Sequence, residues 1–345
     1  VTTKPPAKRS GLKAVAALAG VSVQTVSNVV NARVGEMSTE TRLRVEKAMR
    51  DLNYTPNSQA RGLRIQKTNT LAFLLLDPDE RYLADPMTDL IISGVGAVAR
   101  ERGYMVLVHA AKPGDFDSGL LLPIRQNRVD GALLLLCGDA AVRRRYTEET
   151  KQLTSNLVVF EDLDDPSVNT VTAQNRVGAY DMTMHLIDKG HRRIAFLGTA
   201  TPWPMIEQRF AGYQEALKKK GIAFDPGLTL FEGEWNADTG AQMAARIRAR
   251  PQPPTAIIAG NDLLAIGAIA KLKAEGLRVP EDVSVIGFND FEFAQHTDPP
   301  LTTVRVPGFE MGHRAATILI EQIDGKQSDA TSEHLPVEQV IRASA

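Results

Sequence analysis

The chain has 345 residues, 43% of them hydrophobic and 23% charged, with a formal net charge of −1, a length that predicts two or three domains. No run of about eighteen uninterrupted apolar residues occurs, which argues against a membrane-spanning helix. A single cysteine, Cys137, rules out an internal disulfide framework and fits a reducing cytoplasm.

The near-neutral total hides a division. Residues 1–68 carry 12 Lys+Arg and 4 Asp+Glu, a net of +8; the remainder carries 28 and 37, a net of −9. A small basic head on a larger acidic body is the asymmetry expected when one part meets a polyanion. Residues 1–10 are basic and polar, lack the apolar core of a secretion signal, and are expected to form a flexible tail.

From Leu12 the chain predicts three short helices. In the first, Val15, Leu18 and Ala19 fall at helical spacing and Gly20 follows as terminator. Ser22 can cap the second, with Val26, Val29 and Val30 inward. Ser38 can cap a third ending near Asn53, with Val45, Ala48, Met49 and Leu52 inward. Helix, glycine turn, helix and supporting helix is the helix-turn-helix plan, here over residues 11–56. With the valines buried, Val23, Gln24, Ser27 and Asn28 lie on the outer face of the second helix. Gln and Asn can pair with adenine edges, and valine can meet a thymine methyl.

"LKAVAALAGVSVQTVSNVVN", "STETRLRVEKAMRDLNYTPN" and "QARGLR" resemble the DNA-binding head of the LacI/GalR family of transcriptional regulators. The resemblance implies base reading by Val23, Gln24 and Asn28, with Ser22, Thr25, Ser27 and Asn31 touching the backbone or supporting the helix. It also implies a hinge helix within residues 57–68 that folds on the operator and enters the minor groove. Asn57, Ala60 and Arg64 would make contacts there, and Leu63 would wedge open a base step. Two departures from the family pattern stand out. Gly11 occupies the place of a capping threonine, leaving Ser10 as the alternative cap. Asn28 replaces a frequent arginine, so the half-site should differ from that of arginine-bearing relatives.

From Leu71 onward strands and helices alternate. "LAFLLLD", "YMVLVHA", "VDGALLLL", "LVVFED", "RRIAFLG", "TAIIAG" and "DVSVIGF" are near-continuous apolar runs, as expected of parallel strands covered on both faces. Helices are predicted between them over 88–102, 177–189, 207–220 and 263–275. This is a doubly wound α/β body at 69–345, long enough for two lobes. "HLIDKGHRRIAFLG", "RFAGYQEAL" and "AIIAGNDLLAIGAIAKLKAEGLRVPEDVSVIGFND" carry the family resemblance through it. The resemblance implies a periplasmic-binding-protein-like body crossed three times, near Gln174, Pro300 and Ala330. The N-lobe would then hold about 69–173 and 301–329, and the C-lobe about 174–300 and 330–345.

The resemblance also implies an effector site in the cleft. Arg209 would clamp the ligand, Trp235 would stack on it, and Asp162, Asn261 and Asn289 would bond its hydroxyls. Met87 and Thr88 follow a turn into the first helix of the body. Trp203, between two prolines, either lines the mouth or simply packs. Asn289 replaces a common aspartate, which leaves Arg209 less compensated and favours a sugar acid or sugar phosphate over a neutral sugar.

An enzyme is the first rival. His109, His185, His191, His296, His313 and His334 show no ligand spacing, and no GxSxG, P-loop or GxGxxG is present; no catalytic residue, cofactor or metal is expected. A transport receptor, the second rival, fits the body but leaves the basic head unexplained. A phosphocarrier protein in place of a metabolite effector is a third reading. The expectation is a cytoplasmic regulator, a repressor in this reading, that binds a palindromic double-stranded operator as a homodimer, since one head buries too little for selective binding. A carbohydrate-like effector would shift its DNA affinity, with induction and corepression as the two signs. The chain ends at "LPVEQVIRASA" without a leucine-heptad helix, so dimers rather than tetramers are expected.

Overall fold

The computed structural model describes residues 11–30, 37–54, 67–79, 82–113, 119–326 and 329–345, which divide into compact units at 1–68 and 69–345. Asn31, Asn57, Ala60, Leu63 and Arg64 lie outside the described residues.

In the first unit α1 (Leu12–Ala19) ends at Gly20, whose φ of 64° only glycine adopts freely, and Val21 N–H closes back on the Ala16 carbonyl at 3.1 Å. Three residues later α2 (Val23–Val30) begins, bent 106° from α1, within the roughly 90–120° of a helix-turn-helix. Ser22 Oγ accepts the Thr25 N–H at 3.0 Å. Ser38 caps α3 (Thr39–Asp51), accepting from Thr41 N–H at 3.2 Å. Gly11 caps α1 with no side-chain bond. The core is Val15, Ala16, Ala19, Val26, Val45 and Ala48, with Val29, Val30, Met49 and Leu52 against it. Leu18 is 54% exposed: Ala16, not Leu18, completes the inward face of α1.

The second unit comprises, in order, β1 (Thr70–Leu76), α4 (Pro86–Arg102), β2 (Met105–Ala111), α5 (Leu122–Arg125), β3 (Gly131–Leu136), α6 (Ala140–Leu153), β4 (Leu157–Val159), β5 (Asn169–Ala173), α7 (Asn175–Asp188), β6 (Ile194–Gly198), α8 (Pro204–Lys219), β7 (Thr229–Phe231), α9 (Ala237–Arg248), β8 (Ala256–Ala259), α10 (Asp262–Ala274) and β9 (Ser284–Ile286). It closes with β10 (Thr303–Arg305), α11 (Gly308–Ile323), β11 (Ser332–Leu335) and β12 (Glu338–Val340). Two parallel sheets form, ordered β11-β5-β4-β3-β1-β2 and β7-β6-β8-β9, and β10 pairs antiparallel with β12. Every residue of β1, β3, β6 and β8 is buried, which accounts for their unbroken apolar runs. Helices α4 and α11 meet backbone to backbone: a Cβ on Gly94 would lie 2.0 Å from the Phe309 carbonyl oxygen.

Two expected crossings move. Gly287 N–H donates to the Thr302 carbonyl at 2.9 Å, so residues 301–302 still run along the second sheet. β11 pairs with β5 in the first sheet, Ser332 opposite Thr170, so residues 332–335 belong to the first lobe rather than the second. The chain returns only after Leu335, and Val285 N–H then bonds the Ser344 carbonyl at 2.8 Å.

Candidate functional site

Helix α2 carries two faces of opposite chemistry. Val26 is fully buried, whereas Val23 is 43% exposed and Gln24 faces solvent. Ser22 and Thr25 secure the helix start, their hydroxyls 2.8 Å apart. Ser27 and Asn28 are half-buried. Gln24 Nε2 donates to Asn28 Oδ1 at 3.1 Å across one turn. That bond leaves Gln24 with an outward carbonyl and one N–H, the acceptor–donor pair that matches adenine N6 and N7. Neither amide is packed beneath the valines.

In the second unit Arg209 projects from α8 and is 3% exposed. Its Nε donates to Asn175 Oδ1 at 2.9 Å, Nη2 to Asn289 Oδ1 at 3.0 Å, and Nη1 to the Gly260 carbonyl. The guanidinium carbon sits 3.8 Å above the Phe288 ring centre, a cation–π contact. Three of its five N–H donors are thus engaged, and two remain for a bound molecule. Burial pulls its pKa down to about 9, opposed by Asp262 and Asp85, so it stays charged at neutral pH.

Asn289 holds a φ of 109°. Its backbone is fixed there because its N–H donates to the Val304 carbonyl at 2.8 Å and its carbonyl accepts from Val306 N–H at 3.3 Å. Its side-chain oxygen is thereby set against Arg209. Asn261 Oδ1 caps α10 through the Leu264 N–H at 2.9 Å, so what Asn261 offers the cleft is its NH2 group. Met87 and Thr88 enter from the first turn of α4, which Asp85 caps by accepting from Thr88 N–H at 3.2 Å and Thr88 Oγ1 at 3.1 Å.

Met87, Thr88, Arg209, Trp235, Asn261 and Asn289 line one cleft holding about 740 Å3 of empty space, open at its mouth. Trp203 lines it too, so both tryptophans of the chain face this space. Asp162 does not line it. β4 stops at Val159, Phe160 takes the cleft-facing place, and Asp162 Oδ1 lies 3.4 Å from His334 Nδ1 instead.

Asp77, Asp85 and Asn175 also line the cleft and were not singled out from the sequence. Asp77 follows β1, and its Oδ1 accepts from Asp79 N–H at 2.8 Å. Burial, with Asp85, Asp79 and Glu234 nearby, raises its carboxyl to about 6; burial raises Asp85 also. Behind Arg209 sits Asp262, raised to about 7 by burial and held by Thr303 Oγ1 at 2.6 Å and Phe291 N–H at 2.8 Å. Asp85 and Asp262 both act on Arg209, and Asp77 lines the same cleft, whereas the expectation of an acidic ligand took Arg209 to be less compensated.

A helix-turn-helix head with amides on the outer face of its second helix, and a two-lobed body around a polar and aromatic cleft, define a ligand-sensing DNA-binding regulator. Residues 11–57 match the profile of bacterial regulatory proteins of the lacI family, and residues 183–345 that of the periplasmic binding protein-like domain. The chain is 33% identical over 337 residues to the HTH-type transcriptional repressor CytR of Escherichia coli (strain K12), covering 96% of this chain and 95% of that one. It is 32% identical over 349 residues to the HTH-type transcriptional regulator CelR of Thermobifida fusca, covering 98% of each. Among solved structures, the lac repressor dimer bound to operator and the anti-inducer ONPF matches with a TM-score of 0.86 at 27% identity, over 98% of this chain and 99% of that one. The CelR–cellobiose complex matches with a TM-score of 0.73 at 31% identity, over 98% and 100%. The chain belongs to the LacI family of bacterial regulatory proteins. It is a transcriptional regulator and not an enzyme.

Proposed function

We propose that the protein is a cytoplasmic repressor that grips a two-fold symmetric operator as a homodimer and is controlled by a neutral, polyhydroxylated effector in the cleft. Val23, Gln24 and Asn28 read bases in the major groove, while Ser22, Thr25, Ser27 and Asn31 hold the helix start and the phosphates. Asn57, Ala60, Leu63 and Arg64 are assigned to the hinge that enters the minor groove.

The observation that carries the effector reading is the buried Arg209, fixed by Asn175, Gly260 and Asn289 with two donors left over. A guanidinium held this firmly supplies hydroxyl recognition without reorganising on binding. Trp203 and Trp235 supply flat apolar surface for a sugar ring, and Asp77, ionised as pH rises above about 6, disfavours phosphate and carboxylate ligands. The CelR complex with cellobiose supports the carbohydrate class. Effector and operator affinities would be coupled by roughly 1–3 kcal/mol, typical of allosteric regulators.

The test has two arms. A gel shift at low salt, where phosphate contacts are strongest, uses duplex DNA from upstream of the gene. A thermal-shift panel compares cellobiose, glucose, glucose 6-phosphate, gluconate and adenosine. A retarded band and a melting rise with a neutral sugar or nucleoside are expected. Unaltered mobility would refute the DNA reading, and a rise only with the phosphate or gluconate would refute the ligand class.

A further inference from the structure

Besides the chain crossings, a side-chain cluster ties the two lobes of the body together. It centres on Arg143, near the start of α6 in the six-stranded lobe and only 3% exposed. Its Nε donates to Glu161 Oε1 at 2.7 Å, just past β4 in the same lobe. Its Nη2 donates to Glu207 Oε2 at 2.8 Å, and Nη1 reaches Glu207 Oε1 at 3.3 Å. Glu207 lies in the first turn of α8, which follows β6 of the other sheet. Nη1 also donates to the Gly138 carbonyl, and the Gly138 N–H donates across the lobe boundary to the Pro202 carbonyl at 2.8 Å. One guanidinium therefore organises both interlobe bonds.

The two sides of this cluster differ in how they could come apart. A buried arginine left without a partner is strongly unfavourable, and Glu161 keeps Arg143 paired within its own lobe. Glu207 is 48% exposed, so water can replace Arg143 as its partner. Arg143 and Glu161 form a fixed socket, and Glu207 is the part that can leave. Two N–H donors on the two oxygens of one carboxylate also fix its direction, not only its distance. The segment so held, Pro202 to Arg209, carries Trp203 and Arg209 into the cleft.

We propose that Arg143 and Glu207 form an interlobe latch that positions the Trp203–Arg209 segment over the cleft and sets how readily the empty cleft opens. Neither side chain lines the ligand space; both are positioning residues. The latch adds weight to the arrangement in which the two lobes are bonded, before any ligand arrives. A ligand that favours closure is helped by it, and one that favours opening is resisted. The link to effector response rests on the cleft being the effector site, but the latch itself is tested without effector or DNA.

The Gly138 amide is a built-in reporter. It exchanges with solvent when the contact to Pro202 opens, at a rate proportional to the open fraction when reclosing is fast. Hydrogen–deuterium exchange on the full chain compares wild type, Glu207→Gln and Glu161→Gln in the peptide containing Gly138. Glu207→Gln should speed that exchange by up to about fivefold, the upper end for an ion pair with one half-exposed partner. The β3 and β8 peptides should exchange as before, and Glu207→Ala should exceed Glu207→Gln. Glu161→Gln removes a charge from the socket but nothing from across the boundary, and should not speed Gly138. Equal speeding by the Glu161 and Glu207 variants would make Arg143 a merely structural buried charge. Unchanged exchange in both Glu207 variants would overturn the latch.

Discussion

Replacing Asp77 by asparagine should stabilise the protein, and only above a definable pH. The carboxyl is raised from 3.8 to about 6 by burial and by its carboxylate neighbours. That change amounts to about 3 kcal/mol against the ionised form, at about 1.36 kcal/mol per tenfold change in proton affinity. Because the folded-state value lies above the unfolded one, the wild type has its full stability below about pH 4 and loses it as pH rises through about 6. The substituted amide keeps the acceptor for the Asp79 N–H, bonded at 2.8 Å in the wild type, and never ionises. The variant should therefore match the wild type near pH 4 and exceed it by up to about 3 kcal/mol at pH 7.5. Urea unfolding across that range, followed by the fluorescence of Trp203 and Trp235, measures the difference. A gap of equal size at both ends of the range, or a variant less stable at pH 7.5, would refute the reasoning. A carboxylate that costs stability inside a cleft is what a binding role predicts, so the same variant should respond more weakly to effector.

Gln24→Ala should cost roughly 1–3 kcal/mol of operator affinity while leaving random-sequence affinity unchanged, as read by anisotropy with both duplexes; equal losses would rule out base reading. Arg209→Ala should retain DNA binding and lose the response to whichever ligand raises the melting point, and lysine should not rescue it, because one ammonium cannot replace a planar fork of donors. Gly94→Ala should cost about 1–3 kcal/mol by overpacking, since its Cβ would meet the Phe309 carbonyl oxygen at 2.0 Å. Gly96→Ala, two residues along the same helix with nothing within 4 Å, is the control and should raise the melting temperature slightly.

What could be read from the sequence depended on how local the signal was. The head was legible because Gly20, Ser22 and Ser38 act on their own helix ends; Leu18 misled because spacing alone cannot tell which side of α1 the other helices cover. Parallel strands were legible where both faces are buried. β5, β7 and β10–β12 were missed because they lack a long apolar run: "NTVTA" of β5 is mostly polar and "SEHL" of β11 has one aliphatic residue, which hid the late crossing. In the cleft, residues at helix starts such as Asn261 and Thr88 were found. Asp77 and Asp85 were not, since in "DPDERYLADPM" they look like loop punctuation and become cleft residues only when β1 and α4 bring them opposite Arg209. Asp162 misled because the strand ends at Val159, one residue before the end of its apolar run and three before Asp162. The charge around Arg209 depends on Asp262 and Asp85, 53 and 124 residues away in the chain, and no local pattern reveals that.

The most direct measurement is selection of duplexes from a random-sequence pool by the full-length chain. Enrichment of an inverted repeat with adenine at one fixed place in each half is expected, with loss of that adenine preference in Gln24→Ala. A pool that gains no consensus, or a consensus indifferent to Gln24, would contradict base reading.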